Sequence, residues 1–302
     1  MSKQYIIGID QSTSGTKLIL VNEQGEIVYK DSLKHQQYYP PQDNWIEHDP
    51  VEIYDNVKAL INKLMNKTIV PSSSLKALSI TNQRETVLAW DKHTGEPIYN
   101  AIVWQCTRTQ EVCNHLKMNG YEALIKSKTG LTIDPYFSAT KIQWLLENVE
   151  SAKEKIANLD LLVGTIDSWI VWKLTGGKTH ATDVTNASRT LLYNIYSLKW
   201  DRELLDLFRI PEEMLPEVKN CDEIYGRVSD VNILLKDIPI SGVIGDSQAA
   251  LFGQRCFEEG ATKATFGTGT SVLVHTDKLM ETEKGLVTCV AWGSRWNSQL
   301  CH

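Results

Sequence analysis

Asp10 stands at the end of a short apolar run, Tyr5-Ile6-Ile7-Gly8-Ile9, and is followed by Gln11-Ser12-Thr13-Ser14-Gly15. Backbone N–H groups and hydroxyls in such a turn can face a phosphate without steric obstruction. A carboxylate there suits a magnesium ion, which takes oxygen ligands and keeps several waters; an Asx-type turn with no ligand is the plain alternative. Gly267-Thr268-Gly269-Thr270-Ser271 forms a second turn of the same kind. Two such turns favour the phosphate reading, because a polyphosphate needs a clamp on both sides. Neither common nucleotide loop is present: Gly176-Gly177-Lys178-Thr179 lacks the earlier glycine of G-x-x-x-x-G-K-[ST], and no G-x-G-x-x-G follows a strand.

A further set of polar and aromatic residues has the chemistry of a hydroxyl-binding site. Arg84 and Glu85, just after an apolar run, offer donors and acceptors to vicinal hydroxyls, although adjacent Arg-Glu pairs are commonly solvated surface features. Trp104 closes the run Ala101-Ile102-Val103, and Tyr136 follows Pro135; both also suit an ordinary core. Asp246 ends one apolar run and opens a helical pattern, so it reads either as an N-cap or as a general base accepting a hydroxyl proton.

These residues need a frame. Strands are predicted over 5–9, 16–21 and 26–29, with Asn22-Glu23-Gln24-Gly25 as a turn, giving an antiparallel meander. Helices are predicted over 51–65, 138–148, 166–174 and 248–257, and strands over 75–81, 87–90, 161–163 and 240–244. The expected class is α/β, centred on a mixed sheet with flanking helices. The segments 10–21 and 266–274 echo each other as two hairpins with Gly/Thr/Ser turns, as if a second domain of similar design began near residue 253. A length of 302 residues suffices for a full core. The formal net charge of −6 argues against nucleic acid as a partner. The N-terminus lacks secretory-signal features, and no apolar run is long enough to span a membrane. Six scattered cysteines with no C-x-x-C pair read as reduced thiols of a cytoplasmic protein.

The ordered set of motifs resembles the glycerol kinases, within the FGGY carbohydrate kinases. It comprises Gly8-Ile9-Asp10-Gln11, Trp45-Ile46-Glu47-His48-Asp49-Pro50, Thr81-Asn82-Gln83-Arg84-Glu85-Thr86, Tyr99 to Cys106, Asp134-Pro135-Tyr136-Phe137-Ser138, Thr185 to Thr190, Met214 to Val218, and Gly245-Asp246 ahead of Gln248 to Gly253. The resemblance implies an actin-like (ribonuclease H-like) fold. It divides the chain into a polyol-binding domain over 1–252 and the start of a nucleotide-binding domain over 253–302. It also implies ATP and Mg2+ as cofactors and a small polyol as substrate, and it leaves homo-oligomer formation open. Arg84, Glu85, Trp104, Tyr136, Asp246 and Ser247 would form the polyol pocket, with Asp246 as the base and Trp104 against the carbon chain. Asp10 would serve the magnesium ion. Gln11, Ser12, Thr13, Ser14 and Lys17, with Gly267, Thr268 and Gly269, would hold the phosphates.

Three departures accompany the resemblance. Ser247 stands where these kinases usually carry Gln, Ser271 where they carry an aromatic residue, and Lys17 where they carry Arg. Glycerol is the first expectation for the substrate. A longer polyol or ketose is the alternative suggested by the two serines, and a non-catalytic polyol-binding fragment is a third. From Ser294 to His302 the sequence leaves the family pattern abruptly; a frame change is the simplest cause, with a natural divergent tail or a cloning scar as the alternatives. If the frame changes there, the chain alone is expected to bind ATP very weakly and to turn over no substrate.

Overall fold

The computed structural model of the chain describes residues 3–266, 270–278 and 285–294, together with the backbone of 297–301. The first three strands, β1 (Tyr5–Ser12), β2 (Gly15–Asn22) and β3 (Ile27–Lys34), form the expected antiparallel meander. Alternation places Ile7, Ile9 and Gln11 on the buried face of β1. After the two-residue strand β4 (Glu47–His48), the helix α1 (Pro50–Lys67) opens on Asp49, whose carboxylate accepts from the Val51 N–H, with proline at the first helical position. Its buried residues Ile53, Tyr54, Val57, Leu60, Ile61 and Leu64 recur with the 3.6-residue period and cover β2 and β3.

Strand β5 (Leu75–Asn82) returns parallel to β1. Then β6 (Val87–Asp91), β7 (Ala101–Ile102) and β8 (Leu161–Thr165) join β4 in an antiparallel sheet ordered β4-β7-β6-β8. Helices α2 (Gln110–Met118), α3 (Glu122–Thr129), α4 (Ser138–Asn148) and α5 (Ala152–Ala157) lie between β7 and β8. A second core forms as α4 packs on β6. Helix α6 (Ile166–Leu174), buried nearly all round, leads to β9 (Ala181–Asp183) and the short α7 (Val184–Ala187). The strand pair β10 (Tyr193–Asn194) and β11 (Lys199–Trp200), helix α8 (Arg202–Phe208) and strand β12 (Glu217–Lys219) follow.

Strands β13 (Ile224–Arg227) and β14 (Pro239–Gly245) complete the main sheet, ordered β13-β14-β5-β1-β2-β3. Because β14 and β5 run parallel to β1, their C-terminal ends meet at one edge, with Gln11 paired to Asn82 and Asn82 to Gly245. Parallel strands bind ligands at that edge. Helix α9 (Asp246–Gly253) starts there.

This helix is shorter than the predicted 248–257. Arg255 takes a left-handed backbone (φ 57°), and the N–H groups of Arg255 and Cys256 bond the carbonyls of Phe252 and Leu251. That is a Schellman stop built without glycine. Beyond it, β15 (Thr262–Phe266) and β16 (Thr270–Thr276) form an antiparallel hairpin like that of β1 and β2. With β17 (Cys289–Ser294) and β18 (Asn297–Cys301) they make a sheet ordered β15-β16-β18-β17. Among the described residues, Leu251, Cys256, Leu273, Cys289 and Ala291 form its small core. The Val290 N–H also bonds the Ser188 hydroxyl on the larger body.

Candidate active site

The turn from β5 to β6 carries Gln83, Arg84 and Glu85. The Gln83 N–H extends the ladder by bonding the Gln11 carbonyl at 2.7 Å. Glu85 takes a left-handed backbone (φ 62°), and the Thr86 N–H closes a tight turn onto the Arg84 carbonyl. A non-glycine residue holds that conformation only where its surroundings over-determine it. Here Arg189 Nε donates to Glu85 Oε1 at 2.6 Å, and the Ser138 hydroxyl donates to the Glu85 carbonyl. Arg84 and Glu85 are both buried, so the pair is not the solvated surface feature that such dipeptides commonly are.

Arg84 donates from Nη1 to Gln248 Oε1 at 3.0 Å, and its Nε lies 3.2 Å from Asp246 Oδ1 as an ion pair. Burial opposes the guanidinium charge, but Glu85, Tyr136 and Asp246 outweigh it and hold its pKa above the ordinary value. Gly245 makes this approach possible: a Cβ there would sit 2.7 Å from Arg84 Cδ.

Asp246 is the first residue of α9, and Gly245 is its cap, which corrects the N-cap alternative. Among the described residues the Asp246 carboxylate accepts a hydrogen bond only from its neighbour, the Ser247 N–H, through Oδ1. Oδ2 carries no hydrogen bond among the described residues, and the half-exposed Asp246 side chain lines the cavity. Burial raises the carboxyl above its ordinary range, Arg84 pulls it back, and Glu85 and Asp10 push it further up. A carboxylate with one free oxygen at a helix N-terminus, beside a fixed guanidinium, can take a proton from a hydroxyl held between them.

An aromatic wall closes the other side. Trp104 and Tyr136 meet edge to face with centroids 5.5 Å apart. Trp104 Nε1 donates to the Thr13 hydroxyl at 3.0 Å, which ties the first turn to this wall. Arg84, Glu85, Trp104, Tyr136, Asp246 and Ser247 all line one cavity of about 500 Å³, together with Thr13 and Arg189.

The first turn is tighter than expected, since β1 continues to Ser12 and pairs it with Gly15. Thr13 and Ser14 form the tip, and Ser12 Oγ donates to the Gly15 carbonyl. The Gln11 side chain faces inward: its oxygen accepts from Gln83 Nε2 at 3.0 Å, and its amide nitrogen donates to the Ser12 carbonyl. It supports the turn from behind and presents no side-chain group to a ligand. Asp10 is half-exposed and pairs with Lys17 at 3.1 Å through Oδ2. It lies close enough to Asp246 to raise that carboxyl, though it does not line the cavity itself. A single accessible carboxylate fits magnesium, which needs one or two carboxylates beside water and phosphate oxygens. Among the described residues no cluster of three or more metal-binding side chains occurs. Gly267, Thr268 and Gly269 lie outside the described residues.

Four supporting residues received no individual role from the sequence. Arg189 holds Glu85, Gln248 holds Arg84, Gln83 links Gln11 to the turn, and Lys141 anchors the loop that carries Tyr136. The signal for Arg189 was its place in the 185–190 motif. The other residues of that motif are structural: Thr185 Oγ1 accepts from the Gly245 N–H, and Asn186 exchanges amide bonds with Asn82.

Residues 5–253 match the FGGY family of carbohydrate kinases, N-terminal domain. The chain is 51% identical over 292 residues to a glycerol kinase of Bacillus licheniformis, covering 96% of this chain and 59% of that protein. It is 51% identical over 294 residues to a glycerol kinase of Halothermothrix orenii, covering 97% and 59%. The crystal structure of Plasmodium falciparum glycerol kinase with ADP superposes with a TM-score of 0.94 at 38% identity, covering 99% of this chain and 60% of that one. The chain thus spans about three fifths of the length of these relatives. No helix among the described residues is long and apolar enough to cross a membrane.

Proposed function

Because the chain belongs to the FGGY family of carbohydrate kinases, we propose that it serves the ATP-dependent phosphorylation of a terminal hydroxyl of a small polyol, glycerol first. The observation that carries this reading is the half-exposed Asp246 carboxylate, its Oδ2 free of hydrogen bonds among the described residues, set beside Arg84 in a cavity walled by Trp104 and Tyr136. Arg84 and Glu85 bind the polyol hydroxyls, and Trp104 packs against the carbon chain. Asp246 Oδ2 accepts the proton of the terminal hydroxyl as its oxygen attacks the γ-phosphorus in line and the bond to the ADP oxygen breaks. Ser12, Thr13, Ser14 and Lys17 hold phosphate oxygens, as do Gly267, Thr268 and Gly269 from the second turn. Asp10 would hold magnesium, which neutralises charge developing on the phosphates. The identity to glycerol kinases, and the ADP bound by the Plasmodium relative, support glycerol and ATP.

A longer polyol or ketose is the second reading. It is favoured by the hydroxyls of Ser247 and Ser271, 3.5 Å apart on the cavity wall. The test is ADP release by the complete enzyme with glycerol and with four- and five-carbon polyols, run beside calorimetry of each polyol on this chain. In an otherwise complete enzyme, Asp246→Asn should lower turnover by about a hundred- to ten-thousandfold with polyol binding kept. Polyol heat without ADP release from the complete wild-type enzyme would leave a binding module only, and turnover of its Asp246→Asn variant within a few fold of wild type would remove the base.

A further inference from the structure

Lys141 lies in the first turns of α4 and is fully buried, with no carboxylate paired to it among the described residues. Its Nζ reaches three successive carbonyls instead, those of Pro135, Tyr136 and Phe137, at 2.9, 2.7 and 2.8 Å. Three neighbouring carbonyls converge on one point only if the loop wraps around it. An ammonium group carries three rotatable donors that suit this arrangement, whereas a planar guanidinium fork does not. The same loop is pinned at its start, where Asp134 Oδ1 accepts from the Tyr136 N–H at 2.8 Å. Helix α4 is fixed in turn by the contact between the Thr140 and Thr109 hydroxyls.

Resting on the polyol-kinase reading, we propose that Lys141 is a positioning residue for the polyol pocket, holding the 135–137 loop in the one conformation that sets the Tyr136 ring against Trp104 and Arg189. The Tyr136 ring also meets the ring of its loop neighbour Phe137 edge to face, with centroids 5.3 Å apart, so the conformation of the loop sets how both rings stand. At Tyr136 itself, Trp104 (5.5 Å between centroids) and the Arg189 guanidinium (5.5 Å from the ring centre) touch the sides of the ring, while the backbone hangs from the ammonium. A neutral amine has two N–H groups for three carbonyls, so loss of the proton releases one strand of the anchor. Burial pushes the Lys141 pKa down to about 7, against the opposing pull of Glu85, Cys106, Cys113 and Asp134, the titratable groups that face it. The loop is therefore held most firmly below that pH.

Two measurements on the whole chain test this, one of them free of ligand. In protein carrying 13C at lysine Cε, the Lys141 signal and the Tyr136 ring signals should titrate together near neutral pH, and Lys141→Met should abolish the Tyr136 response. By calorimetry, glycerol affinity should fall as pH rises through the same midpoint. Lys141→Met should weaken it by about ten- to hundredfold, the scale of an ångström-sized displacement of a site group. Lys141→Gln, which keeps two donors, should fall between and serves if the methionine variant does not fold. A Tyr136 ring indifferent to Lys141, or either variant folded with wild-type glycerol affinity, overturns the proposal. Coupled titration in a wild type that binds no glycerol overturns the polyol reading and, with it, the role assigned to the anchor.

Discussion

Replacing Arg189 by methionine keeps much of the side-chain volume but leaves the Glu85 carboxylate without its 2.6 Å partner, at a site where both side chains are buried. Breaking a buried ion pair from one side costs about 3–5 kcal/mol, because the remaining charge stays out of water. Glu85 has little freedom to escape, since its left-handed backbone is held by Ser138 and by the turn onto Arg84. At roughly 2.1 cal/mol/K per residue, the 302-residue chain has an unfolding entropy near 0.6 kcal/mol/K, so Tm should fall by about 5–8 °C. The assay is thermal unfolding of Arg189→Met, Glu85→Gln and the double variant at one pH. Neutralising Glu85 removes the stranded charge, so the double variant should recover a coupling of roughly 2 kcal/mol. It should not recover the contact of the guanidinium with the Tyr136 and Phe137 rings. A Tm within about 2 °C of wild type for Arg189→Met, on the same scale, would refute the reasoning, as would strictly additive losses in the cycle.

Gly245→Ala puts a methyl group 2.7 Å from Arg84 Cδ, so it should cost about 1–3 kcal/mol of stability and weaken glycerol binding; unchanged calorimetry would mean that Arg84 has room to move. Asp167 is pushed up to about 7 by burial and by Asp183, against the hydroxyls of Thr165 and Thr182. Because the folded state holds this proton more tightly than the unfolded state, its contribution is present at low pH and is lost as pH rises from about 4 to 7. Thermal unfolding across that window should show Asp167→Asn gaining on wild type as pH rises, and parallel curves would contradict it. The raised carboxyl of Asp246 must be deprotonated to act as base, so turnover by the complete enzyme should begin to fail on acidification at a higher pH than the ordinary aspartate value near 3.9 implies. A rate that holds down to about pH 4 would contradict the raised carboxyl of Asp246.

Long periodic elements were legible in the sequence. The helices 138–148 and 166–174 have the predicted bounds, because their ends coincide with changes in patterning. The meander was legible for the same reason, and the period-2 rule applied one step further would have turned Gln11 inward with Ile7 and Ile9. What escaped depends on contacts between distant segments. Two-residue strands such as β4 and β7 carry no pattern of their own. The stop of α9 uses Arg255 where the usual cue is glycine. Burial of Arg84 and Glu85 follows from Arg189, about a hundred residues away, and from a glycine that leaves space for the guanidinium. The site residues could be chosen by chemistry and resemblance, but their meeting at one edge follows from the parallel pairing of β1, β5 and β14, which no local signal announces.

The central claim is that the cavity beside Asp246 binds a small polyol through Arg84 and leaves Asp246 free to act as base. Calorimetric titration of glycerol into wild type, Arg84→Ala and Asp246→Asn at one pH tests it most directly. The expected result is saturable one-to-one binding by wild type and by Asp246→Asn with similar affinity, and a loss of about tenfold or more for Arg84→Ala, the scale of one charged hydrogen bond. No saturable binding by wild type, or equal affinity in all three proteins, would contradict it.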